Sequence, residues 1–444
     1  MPPSRTYVTT TIPYVNARPH LGFALELVQA DVVARHRRHR GDAVRFLSGT
    51  DDNSLKNVLA AEAENVPVRE LVDRNARAFA ALRAPLALSF DDFIRTSADP
   101  RHRVGVEALW RRCAVAGDLY RNHYEGLYCV GCEQFYTPAE LVEGRCAEHG
   151  TEPQTVAEEN WFFRLSRYAD QLHELISSGR LRIEPAARRN EVLALIAGGL
   201  HDFSVSRSHT RARGWGIPVP DDPDQVVYVW WDALGNYVTS LGYGTSDPAY
   251  AHWWEGEGRR IHLAGKGVVR FHAVYWPAML LSAGLPLPTD VLVHDYLTVD
   301  GRKISKSGGA RVDPAELVAA YGTDAVRWWL LREVPRVGGR RLHPGAAHRA
   351  RERRLPRRFR QPRQPRRDHG APLPGRPDAA RGHGRRGGAA ADGGVPGGAG
   401  GGRRGPRGLR LPAGDGRGVA DRGGGQPLRR RDPPLGPGEG RTGR

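Results

Sequence analysis

The first fifty residues constrain the fold more than any other stretch. Residues 5–12 read as a buried strand, followed by the turn Pro13-Tyr14-Val15-Asn16. His20-Leu21-Gly22 then opens an amphipathic helix expected from Leu25 to about His39. Leu25, Leu27, Val28, Ala30, Val32 and Val33 keep helical period, the basic run 35–40 suits a helix C-terminus, and Gly41 stops it. Val44-Arg45-Phe46-Leu47 reads as a second strand. A strand–helix–strand unit this short requires a right-handed crossover and a parallel sheet. Ligands of such sheets bind beyond the carboxyl ends of the strands, where the His20 segment and Ser48-Gly49-Thr50-Asp51 would both emerge. Free N–H groups at the helix start favour a phosphate there, and Gly22 lets a nucleotide approach the backbone.

Further along, residues 54–117 read as helical and charged. Cys129-Val130-Gly131-Cys132 and Cys146-Ala147-Glu148-His149 follow, two chelating turns thirteen residues apart. Three thiolates and one imidazole match a closed tetrahedral zinc site, structural because no position is left for water. Cys113 lies outside this set and reads as a buried thiol. Residues 215–220 read as a loop returning to the sheet, and 226–231 as a continuous apolar strand at its centre. Residues 261–267 suggest a strand ending in a phosphate-facing turn, 271–281 an apolar helix, and 291–294 a strand. That strand leads to Lys303-Ile304-Ser305-Lys306-Ser307, and 314–333 read as a helical pair.

A His-Leu-Gly helix start paired with a distant Lys-Ile-Ser-Lys-Ser loop resembles the signature pair of class I aminoacyl-tRNA synthetases, and the surrounding sequence from about residue 6 to Gly338 resembles methionyl-tRNA synthetases. The resemblance implies an α/β fold, a Rossmann-like parallel-sheet catalytic domain split by a zinc-bearing connective insertion. It implies catalytic halves at 1–117 and 215–290, an insertion at 118–214 and a signature-loop region at 291–338. The implied reaction joins methionine and ATP into methionyl-adenylate and passes the aminoacyl group to the tRNA 3′ end, with Mg2+ sharing phosphate charge and one structural Zn2+ held by Cys129, Cys132, Cys146 and His149. His20, Lys303 and Lys306 would be catalytic. ATP would meet His20, Gly22, Gly265, Lys266, Lys303 and Lys306. Asp51 would take the methionine ammonium, and Ile12, Tyr14, Trp230, Ala233, Tyr237, His272 and Trp276 would surround the thioether, which aromatic rings suit. Trp230, Ala233 and Tyr237 are spaced for one helix face, as are His272 and Trp276.

The sequence departs from the family at several points. Phe23 replaces the second signature His, removing a phosphate donor. Gly267 replaces the Asp after Gly265-Lys266, Asp52-Asn53-Ser54 replaces Glu-His-Gly after Asp51, and Gly308-Gly309-Ala310 replaces Leu-Gly-Asn after the lysine loop. These suggest a divergent paralogue. The alternatives are a degenerate synthetase acting as a tRNA-binding or regulatory module, favoured by Phe23, and a class I ligase for another amino acid, which the aromatic pocket opposes.

Composition matters at the C-terminal end. The net charge of +17 belongs wholly to residues 339–444, whose 27 Arg and 8 acidic residues give +19 and leave the body at −2. Overall charge therefore carries no argument about what the body binds. Half of that tail is Gly or Arg, with one Phe and no Ile, Tyr, Trp, Asn or Lys, so it is expected to be disordered. An RNA-binding Arg/Gly tail is one explanation. A reading-frame shift near 338–340 is preferred, because residues 358–365 can be back-translated in a shifted frame to a segment resembling the start of the synthetase helical domain. Anticodon recognition is then expected to be lost. No apolar leader and no run of about 18 apolar residues is seen, so a cytoplasmic location with no membrane partner is expected, and separately a monomer.

Overall fold

The computed structural model describes residues 4–332 apart from 133, 137, 148–149, 300–301 and 304–312, together with 340–342. The chain divides into two compact units, 1–366 and 367–444, and every described residue belongs to the first.

Along the chain come β1 (Arg5–Thr10), the helix Leu21–His39 and β2 (Ala43–Thr50). Helices Leu55–Glu64 and Val68–Ala80 precede β3 (Asp92–Arg95), and the helix Pro100–Val115 follows it. Then come β4 (Leu119–Cys129), β5 (Gln134–Tyr136), β6 (Gln154–Phe163) and β7 (Arg182–Glu184). Short strands β8 (Phe203–Ser204), β9 (Ser206–Ser208), β10 (Pro218–Val219) and β11 (Asp222–Val227) lead to the helix Val229–Thr239. β12 (Arg259–Gly265), the helix Trp276–Ala283 and β13 (Asp290–His294) complete the main sheet, and helices Pro314–Tyr321 and Thr323–Arg332 follow.

The main sheet has six strands in the order β3-β2-β1-β12-β13-β7 and every pairing in it is parallel. Chain order reverses between β1 and β12, so the crevice beyond Thr10 and Gly265 is the topological switch point where such sheets bind ligands. Side chains alternate across the sheet: Tyr7 and Leu47 enter one apolar cluster, Val8 and Phe46 the other. Helices Pro100–Val115 and Val229–Thr239 supply the first cluster, and Leu21–His39 and Val68–Ala80 the second. Between the halves, β4 and β6 form a long antiparallel ribbon whose four-stranded sheet runs β5-β4-β6-β8.

Several expectations need correction. The helix begins at Leu21 rather than Leu25, with His20 as its N-cap. The expected central strand at 226–231 does not join the parallel sheet. Its first residues belong to β11 in a separate antiparallel sheet of order β10-β11-β9, and Trp230 and Trp231 lie on the helix that starts at Val229. A short apolar run fits a buried strand and a buried helix turn equally well. Residues 218–219 form β10 instead of a plain loop. β3 and β7, both edge strands of three or four residues, were not anticipated; each is too short to show a period. The expected helix at 271–281 is a π-helical turn, Phe271–Tyr275, continued as Trp276–Ala283. Of the Gly/Arg-rich tail, Arg340–Leu342 pairs in parallel with Leu297–Val299, and 343–444 lie outside the described residues. Among the described residues, no helix is long and apolar enough to cross a membrane.

Candidate active site

His20 has extended backbone, and its Nδ1 accepts the Gly22 N–H at 3.0 Å, satisfying one free donor of the helix start. That bond leaves Nε2 as the ring's donor nitrogen. A Cβ on Gly22 would come within 2.9 Å of the His20 ring, so glycine here lets the ring fold back over its own helix. His20, Gly22, Gly265 and Gly267 line a cleft of about 610 Å³ at the switch point. Lys266 opens the turn after β12, its Nζ 5.1 Å from the Tyr296 ring centroid. Phe23 also lines this cleft and packs edge-on against Phe79 at 5.2 Å between centroids. The position where the resemblance implies a second signature histidine is thus occupied by part of the apolar core.

A second cavity of about 320 Å³ adjoins the cleft, and Tyr14, His20, Lys56 and Gly267 line both. Seven of the eight residues expected around methionine meet on its wall: Ile12, Tyr14, Asp51, Trp230, Ala233, Tyr237 and His272. The eighth, Trp276, is fully buried and lies behind Tyr237, with ring centroids 5.9 Å apart. Asp51 is 2 % exposed; its backbone bridges to Tyr14, and its N–H donates to Pro13 O at 3.0 Å, carrying the β1–β2 pairing past the strand ends. Trp230 stacks face to face on Phe271 at 3.8 Å. His272 Nδ1 donates to Val268 O at 2.9 Å, and its Nε2 accepts the Tyr237 hydroxyl at 2.7 Å. Burial holds the His272 imidazole below its ordinary pKa and the Tyr237 phenol well above its own, so both are neutral at pH 7. The π-helical turn that presents His272 is the kind of local irregularity often found at functional sites.

Sequence reading missed the residues that brace this wall. His262 on β12 donates from Nδ1 to Thr9 Oγ1 at 2.6 Å and accepts the Trp276 indole N–H at 3.2 Å. Burial pushes its pKa well down. Glu26 accepts from the Thr11 N–H at 2.7 Å and from His294 Nε2 at 2.9 Å, tying the signature helix to the ends of β1 and β13. No local motif announces the Thr9–His262 and Glu26–His294 pairs, because their partners lie more than 250 residues apart. Lys56 was also missed, its Nζ 4.9 Å from the Tyr14 ring centroid.

Of the substitutions after Asp51, Asp52 is fully buried and pairs with Arg95 at 2.9 Å and Ser97 at 2.8 Å, although burial raises its pKa. Ser54 N-caps the helix Leu55–Glu64 by accepting the Lys56 N–H at 3.1 Å. Cys129, Cys132 and Cys146 place their sulfurs within 4.8 Å of one another at the tip of the β4–β6 ribbon. A tetrahedral thiolate site with Zn–S bonds of about 2.3 Å separates its sulfurs by roughly 3.8 Å, so the three fit zinc. The expected fourth ligand, His149, lies outside the described residues, as do Lys306 and Gly308-Gly309-Ala310. Lys303 closes a two-residue strand, Arg302–Lys303, paired antiparallel to Leu297–Val299. Cys113 is fully buried, as expected.

The sequence model for the class I (M) tRNA synthetases matches residues 6–155 and 132–343. Methionine–tRNA ligase of Brucella suis is 45% identical over 334 residues, 74% of this chain and 63% of the relative. The ligase of Thermotoga maritima is 43% identical over 332 residues, covering 74% of this chain and 52% of its own. Mycobacterium tuberculosis methionyl-tRNA synthetase in complex with methionyl-adenylate superposes with a TM-score of 0.73 at 43% identity, over 78% of this chain and 67% of that one. The apo form of the same enzyme gives 0.65 at 40% identity, over 78% and 65%. The chain thus spans just under two thirds of the length of the Brucella relative and about half that of the Thermotoga one. With the switch-point cleft, the adjoining aromatic cavity and these matches together, the chain belongs to the class I tRNA synthetases of the methionine (M) family.

Proposed function

We propose that this chain activates methionine with ATP to methionyl-adenylate and transfers the methionyl group to the 3′ end of tRNA. One observation carries the reading: an aromatic cavity holding a single buried carboxylate opens into a larger glycine-lined cleft at a helix N-terminus. The first suits a thioether amino acid and its ammonium, the second a nucleotide and its phosphates. In this reading a methionine carboxylate oxygen attacks the α-phosphorus and pyrophosphate leaves. A hydroxyl of the terminal tRNA ribose then attacks the acyl carbon and AMP leaves.

No covalent enzyme intermediate is required, so the residues act by positioning and by stabilising charge on phosphate oxygens. Asp51 holds the ammonium. Ile12, Tyr14, Trp230, Ala233, Tyr237 and His272 enclose the side chain, and Trp276 supports Tyr237 from behind. His20 donates to the α-phosphate region, the backbone at Gly22 and Gly265 admits the nucleotide, and Lys266 lies at its edge. Lys303 and Lys306 grip the departing pyrophosphate, with Mg2+ accompanying ATP sharing that charge. Zn2+ on Cys129, Cys132, Cys146 and His149 is structural. We read 118–214 as the connective insertion, although β7 from within it completes the parallel sheet.

ATP–pyrophosphate exchange measured against a panel of amino acids tests this function. Exchange that depends on methionine supports it. Exchange with a different amino acid corrects the substrate, and no exchange by a folded, zinc-loaded chain favours the degenerate module.

A further inference from the structure

Asn53 stands where the family has histidine, and its two nitrogens point at two different parts of the amino-acid site. Its backbone N–H donates to Asp51 Oδ1 at 3.3 Å. Its side-chain Nδ2 donates to Asp232 Oδ2 at 2.6 Å, across 179 residues of sequence. Asp232 is fully buried on the helix Val229–Thr239, between the residues that wall the cavity. Its other carboxylate oxygen is held by His102 Nε2, and His102 Nδ1 meets Thr239 Oγ1 at 2.7 Å on the same helix. His102 and Thr239 are also fully buried, and Thr239 lies seven residues, about two turns, beyond Asp232. The helix Pro100–Val115 therefore clamps the helix Val229–Thr239 at two points, and Asn53 fastens the Asp51 loop to the clamped helix.

We infer that Asn53 is a positioning residue for methionine, given the amino-acid site proposed above: held by Asp232 and His102, it sets the Asp51 carboxylate against the Trp230–Tyr237 wall. Asp51 recognises one end of the amino acid and the helix recognises the other, so their separation decides whether both engage together. A buried carboxylate in Asp232 gives the anchoring bond the strength of a charge-assisted contact. The Asn53 amide supplies this donor from a short side chain that reaches Asp232 directly.

The test is a double-mutant cycle on the full chain, with methionine binding read by tryptophan fluorescence and ATP binding measured in parallel. Asn53→Ala is expected to weaken methionine about tenfold, the worth of one hydrogen bond to a charged group, and to leave ATP binding unchanged. Asn53→His, which restores a donor, should stay within about threefold of wild type. In an Asp51→Asn background Asn53→Ala should add little, because the two act through one contact. Three results would overturn the inference: unchanged methionine affinity in Asn53→Ala, a full additional loss on top of Asp51→Asn, or equal weakening of methionine and ATP. A wild-type chain that binds ATP but no methionine would remove the amino-acid site itself and the inference with it.

Discussion

Phe23 stands where the family resemblance implies a second signature histidine. Its ring packs edge-on against Phe79 and offers no hydrogen-bond donor to the cleft that it lines. Phe23→His is therefore expected to raise the rate of adenylate formation by about tenfold or more, since one well-placed donor is worth ~100-fold or more in rate. The same change gives up an aromatic pair and should cost about 1 kcal/mol of stability. Single-turnover adenylate formation and denaturant unfolding of the same variant measure both effects. The buried Glu26–His294 pair makes a separate prediction about pH. Burial alone would lower the His294 pKa, but the hydrogen bond and charge of Glu26 outweigh it and the net shift is upward. The folded state then holds the proton more tightly than the unfolded chain. The pair's contribution is full below about pH 6.5 and is lost as pH rises through the raised value. His262 and His272 are shifted downward by burial, so their contribution is lost in the opposite direction, as pH falls below about 6.5. Melting temperature against pH should lose its alkaline slope in Glu26→Gln and keep its acid slope. An unchanged alkaline slope would show that the pair does not act this way.

At the scale of elements, the site depends on two packings. The first brings Pro100–Val115 onto Val229–Thr239 through Gly105, where a Cβ would meet Thr239 Cγ2 at 2.4 Å and Tyr243 O at 2.8 Å. Gly105→Ala forces these helices apart and is expected to destabilise the chain by about 1–3 kcal/mol, seen as a lower denaturant midpoint. In the function proposed above it should also weaken methionine more than ATP, because Trp230, Ala233 and Tyr237 of the aromatic cavity ride on the displaced helix. The second packing sets the cysteine turn against the cavity. Gly131 and Cys132 line the cavity, and Trp230 Nε1 donates to Cys132 O at 3.4 Å. Metal analysis should find one zinc per chain, and Cys146→Ser should remove it and weaken methionine binding as well as stability. Zinc retained at full stoichiometry in Cys146→Ser would contradict the ligand set. Which elements the sequence revealed follows from their length and locality. The helix Leu21–His39, strands β1, β2, β12 and β13 and the cysteine turns each carry a signal within a short window. Residues 226–231 did not, because an apolar run without period leaves the choice to tertiary context. The Asp232–His102 and Glu26–His294 pairs could not be read at all, since nothing in the sequence marks a partner 130 or 268 residues away.

The whole molecule places these parts by topology. The order β3-β2-β1-β12-β13-β7 separates β1 from β12 by some 250 residues of chain and sets their carboxyl ends side by side. His20 and Asp51 come from the first half of the sheet, Gly265 and His272 from the second, and the ribbon between the halves supplies Gly131 and Cys132. Three distant stretches thus converge on one connected pair of cavities. In the function proposed above, these cavities are two halves of one adenylate site. Binding of a non-hydrolysable methionyl-adenylate analogue to the full chain tests it most directly. If the halves are continuous, the analogue gains both sets of contacts for a single loss of translational freedom and binds ~1,000-fold tighter than methionine. Asp51→Asn and a bulkier residue at Gly22 should each weaken it. An analogue that binds no tighter than methionine alone would contradict the account.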